Sequence, residues 1–190
     1  SSGAMVRITD PQYPLQWHFG LLGGIETVWA DYSGAGVAVG VYDDGMDRAH
    51  ADLAANYDAG LQFPGDDGRH DAGADGHGTG VGGLIAAARN GLGGIGVAWG
   101  ARLTSVNYLD DLQYAAPADR DAALAWTARF DVVNQSYGVT PDFHDSRDIG
   151  DPGSLGAREA GFFAQAAGAG RGGLGTVFVK AAGNAANDTD

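Results

Sequence analysis

Asp43, His77 and Asn184 are residue types suited to acyl transfer, and each stands at the end of a segment with structural character. Acyl transfer to a hydroxyl nucleophile needs a carboxylate that holds an imidazole in one tautomer and an imidazole that takes the proton. It also needs a donor aimed at the developing oxyanion, and an asparagine amide can be one. His77 lies in HDAGADGHGTGVGGLIAAARN, residues 70–90, between an acidic Gly-rich loop and a small-residue segment. Gly78, Gly80, Gly82 and Gly83 leave so little bulk there that another backbone or a substrate can approach closely. Thr79, Val81, Leu84, Ile85 and Ala88 recur at helical spacing and predict a buried helix opening at His77. A histidine in that place is a candidate general base.

Two other chemistries compete for the same stretch. Gly91-Leu92-Gly93-Gly94-Ile95-Gly96 satisfies the G-x-G-x-x-G pattern, but it follows the predicted helix and leads towards a strand, the reverse of the dinucleotide-binding order. His70, Asp71, Asp75 and His77 offer nitrogen and carboxylate ligands for a transition metal with an open position. His70 and His77 are seven residues apart in a Gly-rich loop, without the i, i+4 geometry of a helical metal pair. A solvated acidic loop accounts for them better.

The elements that must carry these residues follow from hydrophobic patterning. Val37 to Tyr42 runs apolar into Asp43-Asp44-Gly45 and predicts a strand buried on both faces, as in a parallel sheet. Its acidic end then lies at the carboxyl edge, where open α/β sheets place their ligands. Further strands are predicted at 102–109, 131–136 and 176–182, the last ending at Gly183-Asn184. Helices are predicted at 24–31, 119–130 and 154–167. Residues 6–19, with Pro11 and Pro14, read as an irregular arm, and 139–153 as a long polar loop. Strands alternating with helices predict an α/β fold of three layers, α/β/α, around a mostly parallel sheet.

The chain has 190 residues, 44% hydrophobic and 18% charged, which suits one globular domain with a real core. Its 33 glycines, many in short clusters, suggest tight turns and close backbone packing. A net charge of −13 argues against nucleic acid and anionic membranes as partners. No apolar run is long enough to span a bilayer, and no signal peptide is visible. With no cysteine, disulfides and thiol catalysis are excluded. The first five residues read as the remnant of an expression tag.

Four blocks in order, VAVGVYDDG at 37–45, HGTGVGG at 77–83, VVNQSYG at 132–138 and VFVKAAGN at 177–184, resemble the subtilisin-like serine proteases. The flanking DPQYPLQWHF, DDGMDRAHADLAANYD, GIGVAWGARL and GRGGLGTVFVKAAGN are similar to the kexin/furin-like branch, and the likeness covers nearly the whole chain from Asp10. The resemblance implies a subtilisin-like fold in which Asp43 is the triad aspartate, His77 the general base and Asn184 an oxyanion donor. Ser136-Tyr137-Gly138 would pair with the substrate backbone and line the P1 pocket. Asp44 and Asp75 sit where the branch uses acidic or polar residues near a basic P2 side chain. Tyr137 stands where the branch usually has tryptophan, and the proline that follows is displaced to Pro141, so selectivity for basic P1 residues is not implied.

Calcium is the implied cofactor. The first site would use the side chains of Asp10, Asp52 and Asn90 with the carbonyls of Ala88, Leu92 and Gly94, and a second would use Asp190 with Asp142. No further site is implied in the 58–71 loop, which lacks some of the acidic positions. The serines are Ser1, Ser2, Ser33, Ser105, Ser136, Ser146 and Ser154. None lies in the Gly-Thr-Ser-x-Ala setting of the family nucleophile. Residues 6–190 are therefore expected to be the N-terminal portion of a peptidase domain, truncated before the nucleophile block and inactive alone. Such a portion should leave a sheet edge or apolar patch exposed, for the remainder of the domain or a second copy to cover. The complete enzyme is expected to be a secreted endopeptidase acting on peptide or protein substrates. The alternative from another class is a non-catalytic, calcium-binding protein of the same fold.

Overall fold

The structure, a computed structural model, describes residues 6–70, 76–138, 151 and 153–182. Four parallel strands form one sheet in the order β2-β1-β3-β4: β1 Ala38–Asp43, β2 Arg102–Asn107, β3 Val132–Gln135 and β4 Val177–Lys180. The chain leaves β1 to one side to form β2, then crosses back to place β3 on the other flank of β1. The strand order therefore reverses at β1, and the crevice beyond its carboxyl end is where such sheets bind ligands. Asp43, Asn107 and the residues after Gln135 all lie on that edge.

Every residue of β1 is buried, as the continuous apolar run predicts. Its side chains alternate between two cores. Val39 and Val41 pack with Met46, Leu53, Ala86 and Leu103 beneath helix α3, His77–Ala86. Ala38 and Tyr42 pack on the opposite face with Leu124, Phe130 and Val133. That face is covered by α4, Pro117–Trp126, and α5, Leu155–Gly173, whose backbone leaves helical geometry at Gly170 to Gly172. The result is the three-layer arrangement expected. Gly40 has a packing reason: a Cβ there would lie 2.5 to 2.9 Å from the Phe130 ring. Gly40→Ala is expected to destabilise the fold by about 1–3 kcal/mol, read by denaturant unfolding. Unchanged stability would mean that Phe130 is free to move.

The sequence expectations need correction in three places. The arm at 6–19 is not irregular throughout. A 3₁₀ turn at Tyr13–Leu15 and helix α1, His18–Leu22, precede α2, Ile25–Trp29. Phe19, Trp29 and Ile95 close a small core of their own there, with Tyr13, Ile25 and Trp99 packed on it. Next, α4 begins two residues earlier than predicted, with Pro117 in its first turn, where a missing N–H costs nothing. It gives way to a 3₁₀ turn at Thr127–Arg129. Finally, α3 buries Gly78, Gly82 and Ala86 rather than the whole apolar stripe, and Leu84 is 52% exposed. A Cβ at Gly82 would lie 2.5 Å from Met46 Cε. The small face, not the bulky one, therefore sets how closely the helix approaches the sheet.

Among the described residues β4 is an edge strand, with Val177 and Val179 about half exposed and Leu174 before it more so. Among the described residues no helix is long and apolar enough to cross a membrane.

Candidate active site

The turn after β1 and the start of α3 meet at the carboxyl edge of the sheet. The odd-numbered positions of β1 face α3, so Asp43 at the strand's end continues that face towards the helix. Its side chain is fully buried, and His77 Nδ1 lies 2.8 Å from Asp43 Oδ1. The imidazole is half exposed, with 51% of its side-chain surface open. One side of the ring is thus held from inside the protein while the rest remains accessible. Against an ionised carboxylate, which can only accept, Nδ1 is the donor, and in the neutral ring Nε2 then carries the lone pair that can act as a base.

Asp43 Oδ1 also accepts the Asp44 backbone N–H at 2.9 Å, while Oδ2 is buried with no donor among the described residues. Burial pushes the Asp43 carboxyl above the ordinary carboxylate range. The hydrogen bonds from His77 and the Asp44 N–H offset part of that. The strand end itself is fixed through its main chain, because the Asp43 carbonyl accepts from the N–H groups of Tyr108 and Leu109 at 2.9 and 3.1 Å. Sequence reasoning missed this contribution of β2. The signal was partly available: patterning places Tyr108 and Leu109 at the end of a strand at 102–109, whereas the observed strand ends at Asn107 and leaves their N–H groups to the Asp43 carbonyl.

Asp44 is 7% exposed and its carboxylate receives two backbone donors from α3. His77 N donates to Oδ2 at 3.0 Å and Gly78 N to Oδ1 at 2.6 Å. Gly78 permits this contact, because a Cβ there would lie 2.2 Å from the Gly45 carbonyl oxygen and 3.0 Å from Asp43 Cβ.

The segment Ser136-Tyr137-Gly138 continues from β3 at the same edge. Ser136 Oγ donates to Asn134 Oδ1 at 2.9 Å, and Gly138 is exposed. The Tyr137 ring is buried, stacked on Tyr108 with centroids 5.6 Å apart, and its hydroxyl accepts from Gln135 Nε2. Lys180 Nζ sits 4.5 Å from the centre of the Tyr137 ring, and burial lowers the lysine's pKa. Tyr137 therefore supports the segment from below and presents its main chain rather than its ring. Asn184, Asp75, Asp142 and Asp190 lie outside the described residues.

The residues expected at the first cation site come together on the far side of α3. Asp10, 3% exposed, accepts the N–H groups of Asn90 and Gly91 on Oδ1, both at 3.0 Å. Its Oδ2 is buried without a donor among the described residues. Asp52 Oδ2 accepts from Gly94 N at 3.1 Å, and Asn90 Nδ2 donates to the Ala51 carbonyl. Gly93 adopts φ +35°, and a Cβ there would lie 2.0 Å from Asp52 Oδ2, so only glycine lets the loop close over that carboxylate. The carbonyls of Ala88, Leu92 and Gly94 accept no main-chain hydrogen bond among the described residues. A buried carboxylate oxygen without a donor, and carbonyls without a main-chain donor, are oxygen ligands of the kind a hard cation takes, so these residues fit one. No group of three His, Cys, Asp or Glu side chains suited to a metal ion occurs among the described residues.

Residues 34–190 match the Subtilase family. Human furin is 35% identical over 96% of this chain, which covers 24% of furin. Human proprotein convertase subtilisin/kexin type 4 is 36% identical over 95% of the chain and 25% of its own length. The chain thus spans about a quarter of the curated relatives it matches. Among solved structures, the serine protease of Aeromonas sobria superposes with a TM-score of 0.72 at 29% identity, over 95% of this chain and 33% of that one. A protease of Pseudoalteromonas arctica gives 0.68 at 26% identity, covering 92% and 58%. These matches show that the chain belongs to the subtilase family, on the side of the furin-like proprotein convertases.

Proposed function

We propose that this chain is the Asp- and His-bearing portion of a calcium-dependent serine endopeptidase that cleaves peptide bonds through an acyl-enzyme. The observation that carries the reading is the 2.8 Å contact between half-exposed His77 and fully buried Asp43. In that arrangement Asp43 fixes the tautomer and stabilises the imidazolium. His77 removes the proton from a serine hydroxyl as that oxygen attacks the scissile carbonyl, then returns it to the leaving amine. Asn184 is assigned the oxyanion donor's role by its place in the family motif. The main chain of Ser136 to Gly138 would pair with substrate, with Asp44 and Asp75 near its P2 side chain.

We assign the serine to a segment outside these 190 residues, because none of the seven serines here lies in the family's nucleophile setting. Ser105 is wholly buried in β2, Ser154 caps α5 by accepting from Ala157 N, and Ser136 is bonded to Asn134. The open edge at Val177 and Val179 is where a serine-bearing portion of the sheet, or a second copy of this chain, would pack. The test is hydrolysis of a fluorogenic peptide or of casein. The 190-residue chain alone is expected to be inactive, and a polypeptide extended through the serine block active. Hydrolysis by the chain alone, or an extended form that folds and cleaves nothing, overturns the reading.

Asp10, Asp52 and Asn90, with the carbonyls of Ala88, Leu92 and Gly94, would hold the calcium ion, and Asp142 and Asp190 a second one. The first ion would supply positive charge that neutralises the buried Asp10 and ties the amino-terminal arm to the loop after α3. Such calcium use fits a secreted enzyme. Saturating Ca²⁺, about 100-fold over its dissociation constant, contributes roughly 2.7 kcal/mol to the folded state. For a chain of this size that is a rise of about 5–10 °C in melting temperature. Circular dichroism melts with Ca²⁺ and with chelator measure it. Asp10→Ala should abolish the difference, and equal melting temperatures for the wild type would contradict the site.

A further inference from the structure

We propose that Asp44 is a positioning residue for the general base: its carboxylate caps the start of α3 and so sets the orientation and basicity of the His77 imidazole. The inference rests on the protease reading only for the reaction in which His77 acts. Its geometry stands independently.

A helix begins with N–H groups that have no partner inside it, and the residue just before usually supplies a side-chain oxygen for them. Here that residue is Gly76, at φ 75°, with no side chain to offer. Asp44 arrives instead from the turn after β1, 33 residues earlier, and takes the N–H groups of His77 and Gly78 on its two oxygens. The turn and the helix are thereby clamped together. The clamp closes on itself, because Asp43 Oδ1 receives both the Asp44 N–H and His77 Nδ1. Two consecutive carboxylates thus hold one residue, Asp44 by its main chain and Asp43 by its ring.

The charge matters as much as the geometry. The first turn of a ten-residue helix carries partial positive charge, which alone favours a neutral imidazole and weakens the base. Asp44 places a full negative charge on those same N–H groups. With Asp43 it favours the imidazolium that forms when His77 takes a proton. Other described charged and titratable residues at this turn include Asp47, whose N–H donates to Thr79 Oγ1, Arg48, whose guanidinium donates to the Asp67 carbonyl, and Arg69 and His70, whose main chain packs against Gly45. With 7% of its surface exposed and both oxygens engaged, Asp44 is built into the helix start.

The test is histidine-selective ¹⁵N and ¹³C NMR titration of the 190-residue chain and of its Asp44→Ala and Asp44→Asn variants. In the wild type, neutral His77 should carry its proton on Nδ1. Asp44→Ala should lower the His77 pKa by about 0.5–1 unit and mix the tautomers. Asp44→Asn keeps an acceptor but loses the charge, so it should retain the Nδ1–H tautomer and still show the lower pKa. His18, on the amino-terminal arm, is the internal reference and should not move. If Asp44→Ala fails to fold, the asparagine variant carries the test. A His77 pKa in Asp44→Asn equal to or above the wild-type value overturns the proposal. Because the readout is the imidazole and not turnover, that failure would leave the protease reading standing. Absence of hydrolysis in the extended polypeptide would likewise leave the NMR result standing.

Discussion

Replacing His77 with alanine lowers kcat for peptide hydrolysis by about 10⁴–10⁶ in a polypeptide that joins this segment to its serine-bearing portion, with KM little changed. The argument is one of proton transfer. A serine hydroxyl is a weak nucleophile at neutral pH and must lose its proton as it attacks. In the proposed mechanism that role falls to one half-exposed ring, held 2.8 Å from a buried carboxylate. The substrate contacts proposed for the main chain at Ser136 to Gly138 would be untouched by the substitution, so binding should survive. Steady-state kinetics on the purified variant decides the matter. A loss of less than about tenfold would remove His77 from the chemistry.

Asp43→Asn should separate activity from stability. Activity falls by about 10⁴, because an asparagine amide donates to Nδ1 and leaves the proton on Nε2, the wrong tautomer for a base. Stability at neutral pH should rise, by roughly 1–2 kcal/mol, since a charged group with an unpaired, fully buried oxygen is replaced by a neutral one. Burial holds the Asp43 carboxyl above its ordinary value, so the folded state binds that proton more tightly than the unfolded state does. The stabilisation from the protonated form is complete below about pH 3.9, the unfolded value, and is lost as pH rises through the folded value. Asparagine mimics the protonated form at every pH. The gain from Asp43→Asn should therefore be absent in strong acid and appear as pH increases. Urea unfolding of wild type and variant at several pH values measures it. A variant less stable than wild type at pH 7 would show that the ionised carboxylate is stabilising in place.

How much of this was legible in the sequence differs from residue to residue. Strand β1 was clear, because an unbroken apolar run ending in two aspartates fits only a strand buried on both faces and ending at a polar edge. The pairing of Asp43 with His77 was implied by the resemblance to the subtilisin-like proteases, and the patterning added only that each residue stands at the end of an element. The face on which α3 packs was not clear. Hydrophobic periodicity weights bulky side chains, whereas the contact is made by Gly78 and Gly82, whose lack of bulk is the reason for it. The clamp by Asp44 was hidden for a related cause: its oxygens reach a helix 33 residues away, and only the neighbour of a helix start is inspected for a cap. Pro11 and Pro14 suggested an irregular arm because proline interrupts helices, but it is tolerated in a first turn, and the arm's short helices rest on the core around Phe19 and Trp29. Tyr137 was legible as a departure from the family pattern. Its burial against Tyr108 depends on contacts between strands, which no local signal reveals.

The most direct test of the central claim, that Asp43 and His77 activate a serine supplied from beyond this segment, is labelling with a fluorophosphonate probe. The probe reacts with a serine only when a neighbouring base activates it. A polypeptide extended through the serine block should be labelled stoichiometrically at one serine, and the same polypeptide carrying His77→Ala should not be labelled. Equal labelling of the two proteins, or none of the parent when it is folded and calcium-loaded, would contradict the account.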